Sequence, residues 1–204
     1  MTNIKYPNDY PKMHHFAFNS LCHEQLREIG FDPLEFEIRS LEVCESTNDF
    51  ANKLLDIHNN SIVLSMVQDK GRGRESRVWY SPVGGMWLSI GINSTSKVTE
   101  LSTPVIHAVK KVLDLYVETE IKPPNDIKCQ GKKMCGILVE TKSVGDRFQK
   151  IIIGIGINVF NEIPEEIMDI ATRLSDYVDA PSVPELASKI ATSVLSEIKN
   201  LIYE

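Results

Sequence analysis

Residues 127–158 read IKCQGKKMCGILVETKSVGDRFQKIIIGIGIN, and the pattern of this stretch decides the fold. Ile127 to Cys129, Met134 to Thr141 and Phe148 to Asn158 are apolar runs, separated by turn chemistry at Gln130-Gly131 and Gly145-Asp146. Connections this short join antiparallel neighbours, so the segment is expected to form a three-strand meander. Upstream, Phe36 to Val43, Ile62 to Val67 and Met86 to Ile92 add further strand patterns. Ser46, with Asp49 three residues on, fits a capping-box-like start to a helix that carries Phe50, Leu54 and Ile57. Thr103-Pro104 opens a second helix with the stripe Val105, Ile106, Val109, Leu113 and Tyr116. Helices return from about Pro164, where the acidic run Glu162 to Asp169 reads as a solvated helix face. Val183 to Leu201 then carries Leu186, Ile190, Val194, Ile198 and Leu201 at helical spacing. Strands bracketed by helices, with hairpins inside, predict an α+β domain: a mixed or antiparallel sheet packed with helices.

Residues 1–33 are rich in Asn, Pro and His and read as an irregular lead-in with one short helix candidate, Ser20 to Ile29; the main domain is expected over 34–204. The 204 residues are 42% hydrophobic and 25% charged, an ordinary composition for one domain with a full core. With 22 basic against 28 acidic residues, the net charge is −6, which argues against a general affinity for nucleic acid or an anionic membrane. The four cysteines, Cys22, Cys44, Cys129 and Cys135, have no C-x-x-C spacing and no metal-site pairing with histidine. They are expected to be free thiols in a reducing cytoplasm. No secretory-type start and no apolar run of roughly 20 residues is present.

Local charge is different. Gln68 to Gly85, QDKGRGRESRVWYSPVGG, sets Arg72, Arg74 and Arg77 among glycines and follows them with Trp79. Such a loop suits an anion, because glycine lets backbone approach a ligand while arginine presents a permanent planar charge to phosphate or carboxylate oxygens. A second basic segment, Lys122 to Gly136, reads KPPNDIKCQGKKMCG. GRGRES lacks the ending of a P-loop, and GIGIN at Gly154 to Asn158 lacks the third glycine of a dinucleotide fingerprint.

Together the two segments resemble the signature of biotin protein ligases: a GRGR loop with a downstream Trp and S-P, then K-W-P-N-D and a lysine shortly before a glycine. The resemblance covers roughly residues 40–160 and implies the catalytic fold shared with lipoate ligases. It implies ATP-dependent activation of biotin to biotinyl-5′-AMP, then transfer to a lysine of a biotin carboxyl carrier domain. It assigns Lys133, Arg74 and Asp126 to catalysis. Ser46, Thr47, Asn48, Gln68, Arg72, Gly73, Arg74, Lys133 and Gly136 would contact biotin; Arg72, Arg74, Arg77, Trp79, Asn125 and Asn158 would contact the nucleotide. Asp126 would either bind Mg²⁺ with phosphate oxygens or accept hydrogen bonds from the incoming lysine. ATP with Mg²⁺ and biotin would be substrates, with no permanent prosthetic group. The implied partner is the carrier domain, with a homodimer left open and neither nucleic acid nor membrane expected. Pro123 stands where the family has tryptophan, which makes Trp79 or Trp87 more important as an aromatic platform. The chain is expected to lack the DNA-binding domain and the C-terminal β-barrel of some family members. Lipoate attachment and a non-catalytic biotin sensor are the alternative readings.

Overall fold

The computed structural model describes residues 10–94, 100–144 and 148–202. Its elements run α1 (Tyr10–Glu28), β1 (Phe36–Cys44), α2 (Thr47–Leu54), β2 (Asn60–Gln68), β3 (Met86–Ser94), α3 (Ser102–Leu113), β4 (Glu120–Lys122), β5 (Asp126–Cys129), β6 (Lys132–Val144), β7 (Phe148–Ile157) and α4 (Val183–Ile202). The strands form one sheet in the order β1-β2-β3-β7-β6-β5-β4. β1 and β2 are parallel, because the helix α2 crosses between them; the other pairs are antiparallel. The expected mixed sheet and its β5-β6-β7 meander are therefore present. Gln130 and Gly131 make the first turn with φ of 48° and 79°. The Gly145-Asp146 turn lies outside the described residues.

Alternation along the strands gives the sheet two unlike faces. On β7, Ile151, Ile153, Ile155 and Ile157 point into the main core, where they meet Val105, Val109 and Leu113 of α3 and Leu186, Ile190 and Val194 of α4. Ile152, Gly154 and Gly156 fall on the opposite face. There Ile152 joins Ala51, Leu55 and Val63 in a small cluster under α2. The GIGI repeat thus serves both sides: isoleucines fill the core, and glycines leave room above the sheet.

Two expectations are corrected. Residues 10–28 are not an irregular lead-in but a 19-residue helix. Phe18, Cys22 and Leu26, spaced by four, are fully buried in the main core, and Thr192 Oγ1 of α4 lies 3.3 Å from Gln25 Oε1. Burying an apolar side chain of this size is worth about 1.5–3 kcal/mol, enough for tertiary packing to override a polar, proline-bearing composition. The stretch after Pro164 holds only two short 3₁₀ turns, Glu165–Ile167 and Leu174–Asp176, before α4. The acidic residues Glu165 and Glu166 are exposed as expected, but no α-helix forms. The backbone instead runs beside β6: Lys133 N–H donates to Ile170 O at 2.8 Å, and Thr172 N–H donates to Lys133 O at 2.9 Å. Among the described residues, no helix is long and apolar enough to cross a membrane.

Candidate active site

Above the glycine-bearing face of the sheet lies a cavity of about 500 Å³, lined by α2, the arginine loop, the segment 122–126 and strands β6 and β7. That is the size of a small-molecule site. The cavity brings together Ser46, Thr47, Asn48, Gln68, Arg72, Gly73, Arg74, Arg77, Trp79, Asn125, Asp126, Lys133 and Gly136, every residue the sequence nominated except Asn158.

Ser46 caps α2, its Oγ accepting from Asp49 N at 3.4 Å, so Thr47 and Asn48 are fixed in the first helical turn. Both are buried. Gln68, at the end of β2, accepts from Thr47 N at 2.8 Å and lies 3.0 Å from Thr47 Oγ1, while its Nε2 donates to Ser81 Oγ at 3.0 Å. Asn48 Nδ2 donates to Glu140 Oε2 at 2.6 Å. A Cβ at Gly154 would lie 2.3 Å from Asn48 Oδ1, so only glycine leaves room for this amide.

The arginine loop is internally braced. Trp79 N donates to Gly71 O at 2.9 Å, Gly73 N donates to Arg77 O at 2.7 Å, and Arg72 and Val78 form an isolated antiparallel bridge. Arg72 is clamped at its tip: Nη1 and Nη2 each lie 2.7 Å from an oxygen of Asp49, and Nη2 lies 3.3 and 3.2 Å from the two oxygens of Glu140. The bidentate bond from Arg72 holds the Asp49 carboxyl below the usual carboxylate range. Arg77 is exposed and pairs with Glu75 at 2.5 Å. Arg74 is exposed and has no ion-pair partner among the described residues.

Lys133 Nζ lies 2.8 Å from Asp126 Oδ1 and 4.8 Å from the centre of the Trp79 ring. The indole lies over the sheet where Gly136 and Gly156 leave space: a Cβ on either would come within 2.8 or 2.7 Å of it. Trp87 packs against it edge-on, centroids 6.5 Å apart, and bonds Pro82 O through its own Nε1. Trp79 Nε1 is buried with no hydrogen-bond partner among the described residues.

Asn158 belongs elsewhere. It is buried outside the cavity, donating from Nδ2 to Thr172 O at 3.1 Å and accepting from Asn161 Nδ2 at 3.2 Å. Its backbone N–H donates to Met134 O. It ties the end of β7 to the segment that holds Lys133, so its contribution is to the frame. Ser89 and Glu140, which hydrogen-bond Asn48 from β3 and β6, are not among the residues that the sequence motifs mark. Each interrupts an apolar strand with a polar residue on the site face, the one available signal.

The sequence profile of the Biotin/lipoate A/B protein ligase family matches residues 40–158. The bifunctional ligase/repressor BirA of Bacillus subtilis is 40% identical over 147 residues, which is 66% of this chain and 45% of that protein. The chain thus spans about half the length of the curated relatives it matches. Among solved structures, the biotin protein ligase of Aquifex aeolicus in complex with biotin and ATP superposes with a TM-score of 0.70 at 31% identity, covering 81% of this chain and 72% of that one. The Leishmania major biotin protein ligase in complex with biotinyl-5-AMP gives 0.66 at 25% identity, covering 82% and 76%. With the matching profile spanning more than half of its residues, the fold shared and the motif residues gathered in one cavity, this chain belongs to the biotin/lipoate A/B protein ligase family.

Proposed function

We propose that this protein is an ATP-dependent biotin protein ligase. The observation that carries the reading is the convergence, in one cavity, of a hydroxyl and amide set (Thr47 and Asn48, both buried, and the half-buried Gln68) with the cations Arg74 and Lys133 and an aromatic wall, Trp79. Biotin's ureido ring needs donors and acceptors in a confined slot; its carboxylate and the phosphates of ATP need positive charge. The relatives named above as biotin ligases, two of them in complexes with biotin and ATP or with biotinyl-5-AMP, support the same assignment.

In the first half-reaction a biotin carboxylate oxygen attacks the α-phosphorus of ATP, the α–β phosphoanhydride bond breaks, and pyrophosphate leaves. Two anions must approach. A cation about 4 Å from a unit anion contributes roughly 4 kcal/mol at an effective dielectric near 20, so Lys133 between carboxylate and phosphate, with Arg74 closing from the loop, offsets the repulsion. Arg72, held by two carboxylates, serves as a rigid post for the loop beside biotin, and Arg77 supports the phosphate side. Trp79 packs against adenine. In the second half-reaction a lysine amine of a carrier domain attacks the acyl carbon and AMP leaves. Asp126, beside Lys133, accepts a hydrogen bond from that amine. Mg²⁺ enters as the ATP complex, a substrate. Asp126 offers it one carboxylate, and no group of three or more His, Cys, Asp or Glu among the described residues is arranged to hold an ion. The free thiols fit a reducing cytoplasm.

Pyrophosphate release from Mg-ATP, measured with biotin and with lipoate, tests the assignment. Release with biotin is expected; release with lipoate alone would move the chain to the lipoate branch of its family.

A further inference from the structure

Four oxygens form a row beside the cavity, with Ser89 behind its wall: Gln68 Oε1, Thr47 Oγ1, Ser89 Oγ and Asn48 Oδ1, separated in turn by 3.0, 2.7 and 2.6 Å. Three such contacts call for three protons. The row contains two hydroxyls and therefore two. Neither terminal amide can turn to supply the third. Gln68 Oε1 is fixed by the Thr47 N–H, and Asn48 Nδ2 is fixed by Glu140 at 2.6 Å, where the reversed amide would set acceptor against acceptor. Arg72 Nη2 lies within 3.3 Å of both Glu140 oxygens and holds that carboxylate in place.

The proton shortage has one favourable location. Asn48 Oδ1, buried and without another donor among the described residues, takes the Ser89 proton; Ser89 in turn takes the Thr47 proton across 2.7 Å. The bare contact is then the longest, Thr47 Oγ1 to Gln68 Oε1, where Gln68 already holds a backbone N–H. Both residues line the cavity, whereas Ser89 is fully buried.

We propose that Glu140 is a positioning residue which, through Asn48 and Ser89, sets the direction of this proton row so that its open end at Thr47 and Gln68 accepts an N–H from the ligand. The inference rests on the biotin reading above. A ureido ring presents two N–H donors; the dithiolane ring of lipoate presents none. If Asn48 turned, its Nδ2 would donate to Ser89, Ser89 to Thr47 and Thr47 to Gln68, and the row would satisfy itself. Selection for an N–H-bearing acid is thus set by a carboxylate beyond the hydroxyls that meet the ligand.

Glu140→Ala and Asp49→Ala each remove one carboxylate from Arg72, but only the first releases Asn48. Calorimetric titration of the full chain with biotin and with lipoate, alongside NMR contacts of the Asn48 side-chain amide, reads the difference. Glu140→Ala is expected to weaken biotin about tenfold, the value of one hydrogen bond, with lipoate unchanged and the Asn48 amide protons moved next to Ser89. Asp49→Ala keeps both the biotin-to-lipoate ratio and the Asn48 orientation. In a Ser89→Ala background, adding Glu140→Ala leaves the biotin-to-lipoate ratio unchanged, because the row is already cut. A Glu140→Ala protein that keeps the parent ratio, or keeps the parent Asn48 contacts, overturns the proposal. A parent that binds biotin no better than lipoate refutes the functional reading instead, and the Asn48 contacts still decide the direction of the row.

Discussion

Lys133 and Asp126 meet at 2.8 Å on neighbouring strands because the ladder between them is irregular. Asp126 pairs with Gly136 and Ile127 with Cys135, but Lys128 pairs with Lys133, so Met134 is an extra residue on β6. In a regular strand, residues three apart point to opposite faces. The bulge turns Lys133 onto the face of Asp126 and Gly136, where the cavity lies. Bonds from Lys133 to the backbone of Ile170 and Thr172 then hold it there.

Lys133→Ala removes the cation placed between the two reacting anions. Biotin-dependent pyrophosphate release is expected to fall by about 10²- to 10³-fold, roughly 3–4 kcal/mol, with the far-ultraviolet spectrum unchanged. A rate equal to that of the parent would refute the assigned role.

Gly154→Ala forces a methyl group to within 2.3 Å of Asn48 Oδ1. Overpacking of this kind costs about 1–3 kcal/mol. Because Asn48 must shift, biotin affinity is expected to fall together with the melting temperature. A variant that melts early but binds biotin as the parent does would separate Asn48 from the ligand.

The sequence carried most of the site because its chemistry is local. The glycine and arginine spacing of 71–74, the Ser46 cap and the lysine preceding Gly136 each lie within a few residues of one another, and all converge as expected. What was not legible depended on distant contacts. The burial of Phe18, Cys22 and Leu26 against α4 exists only once the two ends of the chain meet, and the strand β4, three residues long, is too short to show a period. The position of Asn158 after GIGI suits a ligand group, yet the partner that claims it, Thr172, lies on a segment whose path no local pattern announces. Glu140 and Ser89 escape a local reading for the same reason: the residue they bond, Asn48, lies 92 and 41 residues away.

The Asp49 carboxyl is held low by Arg72, so the pair stabilises the fold above the ordinary aspartate value near 3.9 and loses that stabilisation as pH falls through the depressed native value. Asp49 is about half exposed, with its side chain 53% accessible, which limits the effect to below about 1 kcal/mol. Asp49→Asn is expected to melt slightly earlier than the parent at pH 6 and together with it near pH 2. A gap that widens on acidification would contradict this sign.

Burial pushes the Cys22 thiol up to about 12 and raises Cys135 further, while Cys129 is also raised and enclosed. Only Cys44 is partly accessible, and its thiol too is raised by burial. A chromogenic disulfide reagent at pH 7.5 is expected to titrate at most one thiol in the folded protein and four in denaturant. Rapid reaction of two or more in the native state would show a core looser than the one described.

The mass of an acceptor protein decides between ligase and passive binder. The protein is mixed with Mg-ATP, biotin and a biotin carboxyl carrier domain, and the carrier is weighed intact and after digestion. The ligase reading predicts an ATP-dependent gain of one biotinyl group on a single lysine, absent with lipoate and lost in Lys133→Ala. A carrier that stays unmodified while biotin binds and no pyrophosphate forms would contradict it, and would leave a protein that holds biotin without activating it.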